Sequence, residues 1–99
     1  MARATWNDAV LAESDTYEVV EGNVYFPSES VRWDYLRPGN RQYTCPWKGQ
    51  AAYYDIVVGE SVKKNGSWSY PEPLEMAKHF KGYVAFGTGL FGSGVRVER

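Results

Sequence analysis

Ten glycines and five prolines, spread from Gly22 onward, break the second part of this chain into short runs and leave little room for a long helix. Between them lie β-branched and aromatic residues in alternation, the pattern of half-buried strands. Val10–Glu13 and Tyr17–Val20 read as short strands, and Glu21-Gly22-Asn23 turns the chain into Val24-Tyr25-Phe26 as a hairpin. Pro27 ends that strand because it has no N–H to give a ladder. Ser28 then caps one helical turn over Glu29-Ser30-Val31. Arg32 to Tyr43 is mixed, with a turn expected at Pro38-Gly39-Asn40. Ala51–Val58 is the strongest strand and is expected at the centre of a sheet. A tight turn at Lys64-Asn65-Gly66 should precede Ser67–Tyr70, whose alternation puts Trp68 and Tyr70 on one face. After Pro71 and Pro73, Leu74–Phe80 has the spacing of two helical turns, with Leu74, Ala77 and Phe80 on one side. Tyr83–Phe86 extends again, and Val95–Glu98 alternates as a last edge strand. The expected class is mainly β: a small antiparallel barrel or two-sheet domain with one or two short helical turns.

Ninety-nine residues suit a single domain spanning 1–99. The net charge of −1 gives no global attraction to nucleic acid or to an anionic membrane. No apolar run approaches the ~20 residues needed to cross a bilayer, and the first residues lack an apolar signal core, so a cytoplasmic location is the simplest expectation. One cysteine excludes an internal disulfide. One cysteine and one histidine also cannot complete the usual soft-donor zinc site, so neither a metal nor another cofactor is expected.

The charges are nonetheless unevenly placed. Residues 1–31 carry Arg3 against Asp8, Glu13, Asp15, Glu18, Glu21 and Glu29, whereas residues 32–48 carry Arg32, Arg37, Arg41 and Lys48 against Asp34. The cationic stretch leads into Thr44-Cys45-Pro46-Trp47-Lys48-Gly49, which holds the only cysteine. Pro46 fixes one backbone angle and Gly49 permits a conformation that other residues resist, so this is a shaped loop at the mouth of the strongest strand. A cation near Cys45 would enrich its thiolate. A lone cysteine, however, is more often a small buried hydrophobe. Lys48 serves better as a point charge for a phosphate or carboxylate, with Arg32 or Arg37 at the rim. Tyr25 and Tyr70 stand at strand ends beside prolines, where a phenol can reach a pocket, while Phe86 and Trp68 fit a packed core. Gly87-Thr88-Gly89-Leu90-Phe91-Gly92 matches a dinucleotide fingerprint in letters only, because turn and strand signals follow it instead of a helix.

A resemblance joins these pieces. Leu11-Ala12-Glu13-Ser14, Val24-Tyr25-Phe26-Pro27, the Cys-Pro-Trp-Lys-Gly element with Ala51 and Tyr53, Trp68-Ser69-Tyr70-Pro71 and Gly82-Tyr83-Val84-Ala85-Phe86 occur in that order. Their order and spacing resemble the bacterial and fungal family catalogued as domain of unknown function 427, also labelled nucleotidyltransferase-like. The resemblance runs from about Trp6 to Phe86. It implies a mostly-β domain of tent-like, two-sheet form, without the paired Cys-x-x-Cys knuckles of zinc-binding relatives. It also implies a role for Glu13, as ion-pair partner of Lys48, ligand-orienting group or base.

The expected function is therefore binding of a small phosphate- or carboxylate-bearing molecule in an aromatic-walled pocket. Glu13, Tyr25, Cys45, Lys48 and Tyr70 would line it, with Arg32 or Arg37 at its edge. Two alternatives stand beside this. Nucleotidyl transfer normally needs clustered carboxylates around a divalent metal, and the chain offers no Asp-x-Asp pair or Gly-Ser nucleotide loop. A structural or partner-binding module would use the half-polar strands as edges. Stacking of nucleic acid is disfavoured, because Lys and Arg are not interleaved with the rings along any one strand.

Overall fold

The computed structural model describes residues 1–88 and 94–99. Four reversals set the path of the first two-thirds of the chain. Asn7 and Asp8, with φ of 50° and 65°, join β1 (Ala2–Trp6) to β2 (Ala9–Ser14) as a two-residue hairpin turn. Positive φ at both turn positions matches the twist of paired strands, and Asn and Asp tolerate it better than most residues. Glu21 and Gly22 do the same between β3 (Glu18–Val20) and β4 (Asn23–Tyr25), with φ of 53° and 81°. The three residues Pro46, Trp47 and Lys48 join β5 (Leu36–Cys45) to β6 (Gly49–Val58). Gly59 and Glu60 lead from β6 into β7 (Ser61–Ser69).

Among the described residues the strands form three antiparallel sheets. They are β2-β1-β9, β3-β4 and β5-β6-β7-β8, where β8 is Val84–Phe86 and β9 is Arg96–Glu98. The class is mainly β, as expected, and β6 lies inside the largest sheet. The sheets do not close into a barrel. β1 was not anticipated, although Ala2, Ala4 and Trp6 alternate with polar residues. In β2 one extra residue, Leu11, breaks the register against β1, so Leu11 and Ala12 are both fully buried. The helical segments are short 3₁₀ turns at Ser28–Ser30, Trp33–Tyr35 and Glu75–Phe80. Ser28 does not cap the first of them; Pro27 precedes it with no side-chain cap. In Glu75–Phe80 a period of three brings Ala77 and Phe80 inward, while Leu74, in extended conformation just before the helix, is left exposed. No helix among the described residues is long and apolar enough to cross a membrane.

Two expected turns are something else. In β5, Gly39, Asn40 and Arg41 stand opposite the single residue Tyr53, and in β7, Lys64, Asn65 and Gly66 stand opposite Asp55. Both are bulges inside continuous strands. Asn65, at φ 52°, ties them together. Its Oδ1 accepts from the N–H groups of Asn40 (3.1 Å) and Arg41 (3.2 Å), and its Nδ2 donates to Asn40 Oδ1 (3.0 Å). Its own N–H donates to Asp55 Oδ1 (2.8 Å). Glycine and asparagine satisfy the local geometry that a turn would also need, and pairing with β6 keeps the strands running.

The four-stranded sheet separates two apolar clusters. One face sends Leu36, Ile56, Val84 and Phe86 against Ala2, Ala4, Leu11 and Ala12 of the β2-β1-β9 sheet. The other sends Cys45, Ala51 and Ala85 against Val20, Tyr25, Tyr70, Ala77 and Phe80. Neighbouring residues of β4 feed opposite clusters, Val24 the first and Tyr25 the second.

Candidate functional site

The Pro46-Trp47-Lys48 connection projects into the second cluster. Gly49 takes φ 107°, a conformation suited to glycine, and its Cα faces the chain at Glu72 and Leu74 at contact distance. Leu74 N–H donates to Lys48 O (3.0 Å), so the segment after Tyr70 clamps the loop from outside. The Lys48 side chain is consequently only 9% exposed. Its Nζ lies 5.3 Å from the ring centroids of both Trp47 and Tyr70, within cation–π range. Tyr25 is fully buried nearby, and its hydroxyl accepts a hydrogen bond from Trp68 Nε1 (3.0 Å).

The ammonium has one carboxylate partner among the described residues, Glu21, which it meets in a hydrogen-bonded ion pair. Glu21 itself is 54% exposed, because it sits on the turn between β3 and β4. The hydrogen bond from Lys48 holds the Glu21 carboxyl below the ordinary value of 4.5. Burial opposes the charge on Lys48, yet the bond to Glu21 and the neighbouring Tyr25 and Tyr70 hydroxyls outweigh it and leave Lys48 above its ordinary 10.5. Burial raises Tyr25 and pushes Tyr70 up to about 12. Both phenols are thus neutral over the physiological range. Chemically the centre is a buried cation among neutral rings and phenols, with its counter-charge supplied from the surface.

The shifts carry a pH dependence with a definite sign. Glu21 is depressed on folding, so its contribution is present above pH 4.5 and is lost as pH falls through its folded value. Lys48 is raised, so its contribution is present below pH 10.5 and is lost as pH climbs through its folded value. Urea unfolding of Glu21→Gln beside the parent protein should show a deficit at neutral pH that closes in acid. A deficit that persists unchanged once Glu21 is protonated would mean that the carboxylate charge is not what Lys48 uses.

Of the side chains singled out from sequence, Tyr25, Cys45, Lys48 and Tyr70 come together in this cluster. Glu13 does not pair with Lys48. It lies opposite Arg3 in the β1–β2 ladder and forms its ion pair there. Arg32 is exposed, with its N–H bound to Leu11 O (2.7 Å) on the side of the first cluster. Arg37 is exposed opposite Asp55, six residues along β6 from Gly49, or ~20 Å at strand spacing. Neither arginine rims the Lys48 centre. Glu21, Trp47 and Phe80 were not singled out as site residues. A carboxylate on a tight hairpin turn is the signal that marked Glu21, since such a position aims a side chain without burying it. Among the described residues no three His, Cys, Asp or Glu side chains group as metal ligands. The Gly87–Gly92 motif falls largely outside the described residues.

The sequence matches, over residues 1–97, the family model described as Domain of unknown function (DUF427). The chain belongs to that family. A search of curated proteins found no match. The DUF427 match spans the Cys-Pro-Trp-Lys-Gly loop, the Glu21 turn and every described strand except the last residue of β9.

Proposed function

We propose that this DUF427 domain binds a small organic anion, a phosphate or carboxylate, at the Lys48 centre. One observation carries this reading. A lysine enclosed to 9% exposure takes its counter-charge from a half-exposed glutamate on a two-residue turn. An ion pair between partners so unequally buried can exchange its outer member, because Glu21 returns to water at little cost while Lys48 cannot. An incoming anion would take the place of the Glu21 carboxylate. The Tyr25 and Tyr70 phenols supply neutral donors, and the Trp47 and Tyr70 rings supply the walls. Cys45 lines the same cluster as a buried, apolar-packed thiol.

Lys48→Met tests the proposal, because it keeps the length of the stem and removes the charge. Stability should stay within ~1 kcal/mol of the parent, the range of a volume-conserving change. Glu21 is not stranded, since it already faces water. A thermal-shift screen of sugar phosphates and small carboxylates should find stabilising ligands for the parent protein and none of those shifts in Lys48→Met. A variant that unfolds readily would make Lys48 a structural residue. Full ligand shifts in Lys48→Met would place binding elsewhere.

A further inference from the structure

The paired bulges create a second feature, apart from Lys48. By lifting three residues out of the β5 ladder, the first bulge swings Arg41 across the sheet, and its guanidinium lies 5.1 Å from the centroid of the Tyr53 ring. Tyr53 in turn stands opposite Trp68, with ring centroids 6.1 Å apart and planes inclined at 38°. The second bulge brings Lys64 and Asn65 to the same place, with Lys63 beside them. Together these six side chains line an open hollow of about 310 Å³, at the lower end of the size range of small-ligand sites. Three cations and two rings face it, and among the described residues no carboxylate lines it.

Along a single strand the rings and cations are not interleaved. Across three neighbouring strands they are: Arg41 on β5, Tyr53 on β6, then Lys63, Lys64 and Trp68 on β7. Among the described residues Arg41 makes no ion pair with a carboxylate. Lys64 has a loose one, 3.5 Å from Asp55, and its side chain is 74% exposed. The Asp55 side chain is 13% exposed, but Lys64 itself faces water and leaves so loose a contact readily. A guanidinium plane and two rings present stacking surfaces, while the lysines offer point charges to a phosphate. The geometry points to a site for a nucleoside phosphate, with the base stacked on the Arg41–Tyr53–Trp68 shelf and the phosphate received by Lys63 and Lys64. The slightly negative overall charge favours a free small molecule here over a nucleic-acid strand, which needs a longer basic track.

Titration calorimetry with adenosine monophosphate tests this, with adenosine and inorganic phosphate as half-ligands. The monophosphate should bind saturably, and each half-ligand should bind about tenfold or more weakly. Arg41→Gln and the double change Lys63→Gln/Lys64→Gln, all at the surface or its edge, should each weaken binding by about tenfold. Lys48→Met should bind the nucleotide as the parent does, which separates this site from the one proposed above. No saturable binding to the folded parent, or equal affinity in both sets of variants, overturns the proposal. Loss in Lys48→Met with retention in Arg41→Gln assigns the nucleotide to the Lys48 centre and also overturns it. Binding of a single-stranded oligonucleotide much more tightly than the mononucleotide would replace the small molecule with a nucleic-acid partner.

Discussion

Phe80→Ala is expected to lower the unfolding free energy by ~3–5 kcal/mol, the range for deleting a fully buried phenyl ring. Phe80 has no exposed surface and stands at the centre of the second cluster. Its ring centroid lies 5.0 Å from Tyr25, 6.2 Å from Trp47 and 6.3 Å from Tyr70, three of the residues around Lys48. Broad rings cannot easily collapse into the space it leaves, because each is held elsewhere: Tyr25 by Trp68, Trp47 by the clamped loop. The cavity should therefore persist and admit a small apolar molecule. Urea unfolding should show the loss, and saturating indole or benzene should restore part of it. A cost below ~1 kcal/mol would mean that the cluster is loosely packed, and the idea of a rigid wall around Lys48 would fall with it.

Gly39→Ala should cost ~2–3 kcal/mol although it adds one methyl group at a partly exposed position. A Cβ there would overlap Asn65 Oδ1 and lie 3.1 Å from Tyr53 O and 3.2 Å from Asp55 Oδ1. Asn65 cannot step aside without losing its bonds to Asn40 and Arg41, three contacts worth ~1 kcal/mol each. The explanation makes a stricter claim on the double change. With Asn65→Ala in place the closest clash is gone and only the tight approaches to Tyr53 O and Asp55 Oδ1 remain, so Gly39→Ala should cost clearly less than it does alone. Simple additivity of the two single changes, measured by denaturation, would show that the clamp is not the cause.

Where local chemistry and pairing agree, the sequence carries the fold openly. Gly22 after Glu21 marks a hairpin that the structure contains, and the apolar run at Ala51–Val58 becomes the interior strand β6. Where one local signal serves two arrangements, the neighbours decide. Pro38-Gly39-Asn40 and Lys64-Asn65-Gly66 have the composition of reversals, and only the partner strand β6 makes them bulges. β1 escaped notice because Asn7-Asp8 lacks the glycine that usually flags a two-residue turn, although both residues take positive φ. At the site, Tyr25, Cys45, Lys48 and Tyr70 were legible because each stands beside a turn or a proline. The partner of Lys48 was not. Glu13 lies near the end of β2 and Glu21 just after β3, and the choice between them depends on how the β3-β4 hairpin sits over the large sheet, a tertiary matter that no local pattern contains.

The bulge in β5 also bears on how the molecule meets other chains. β5 is the outer strand of the four-stranded sheet, the place where a foreign strand would add itself. Pro38 removes one donor from that border, and the three displaced residues after it interrupt the row of backbone groups. The uninterrupted ladder beyond them runs only from Gln42 to Cys45. A border so divided offers another polypeptide no long template, and the domain is shielded on this side from edge-to-edge polymerisation.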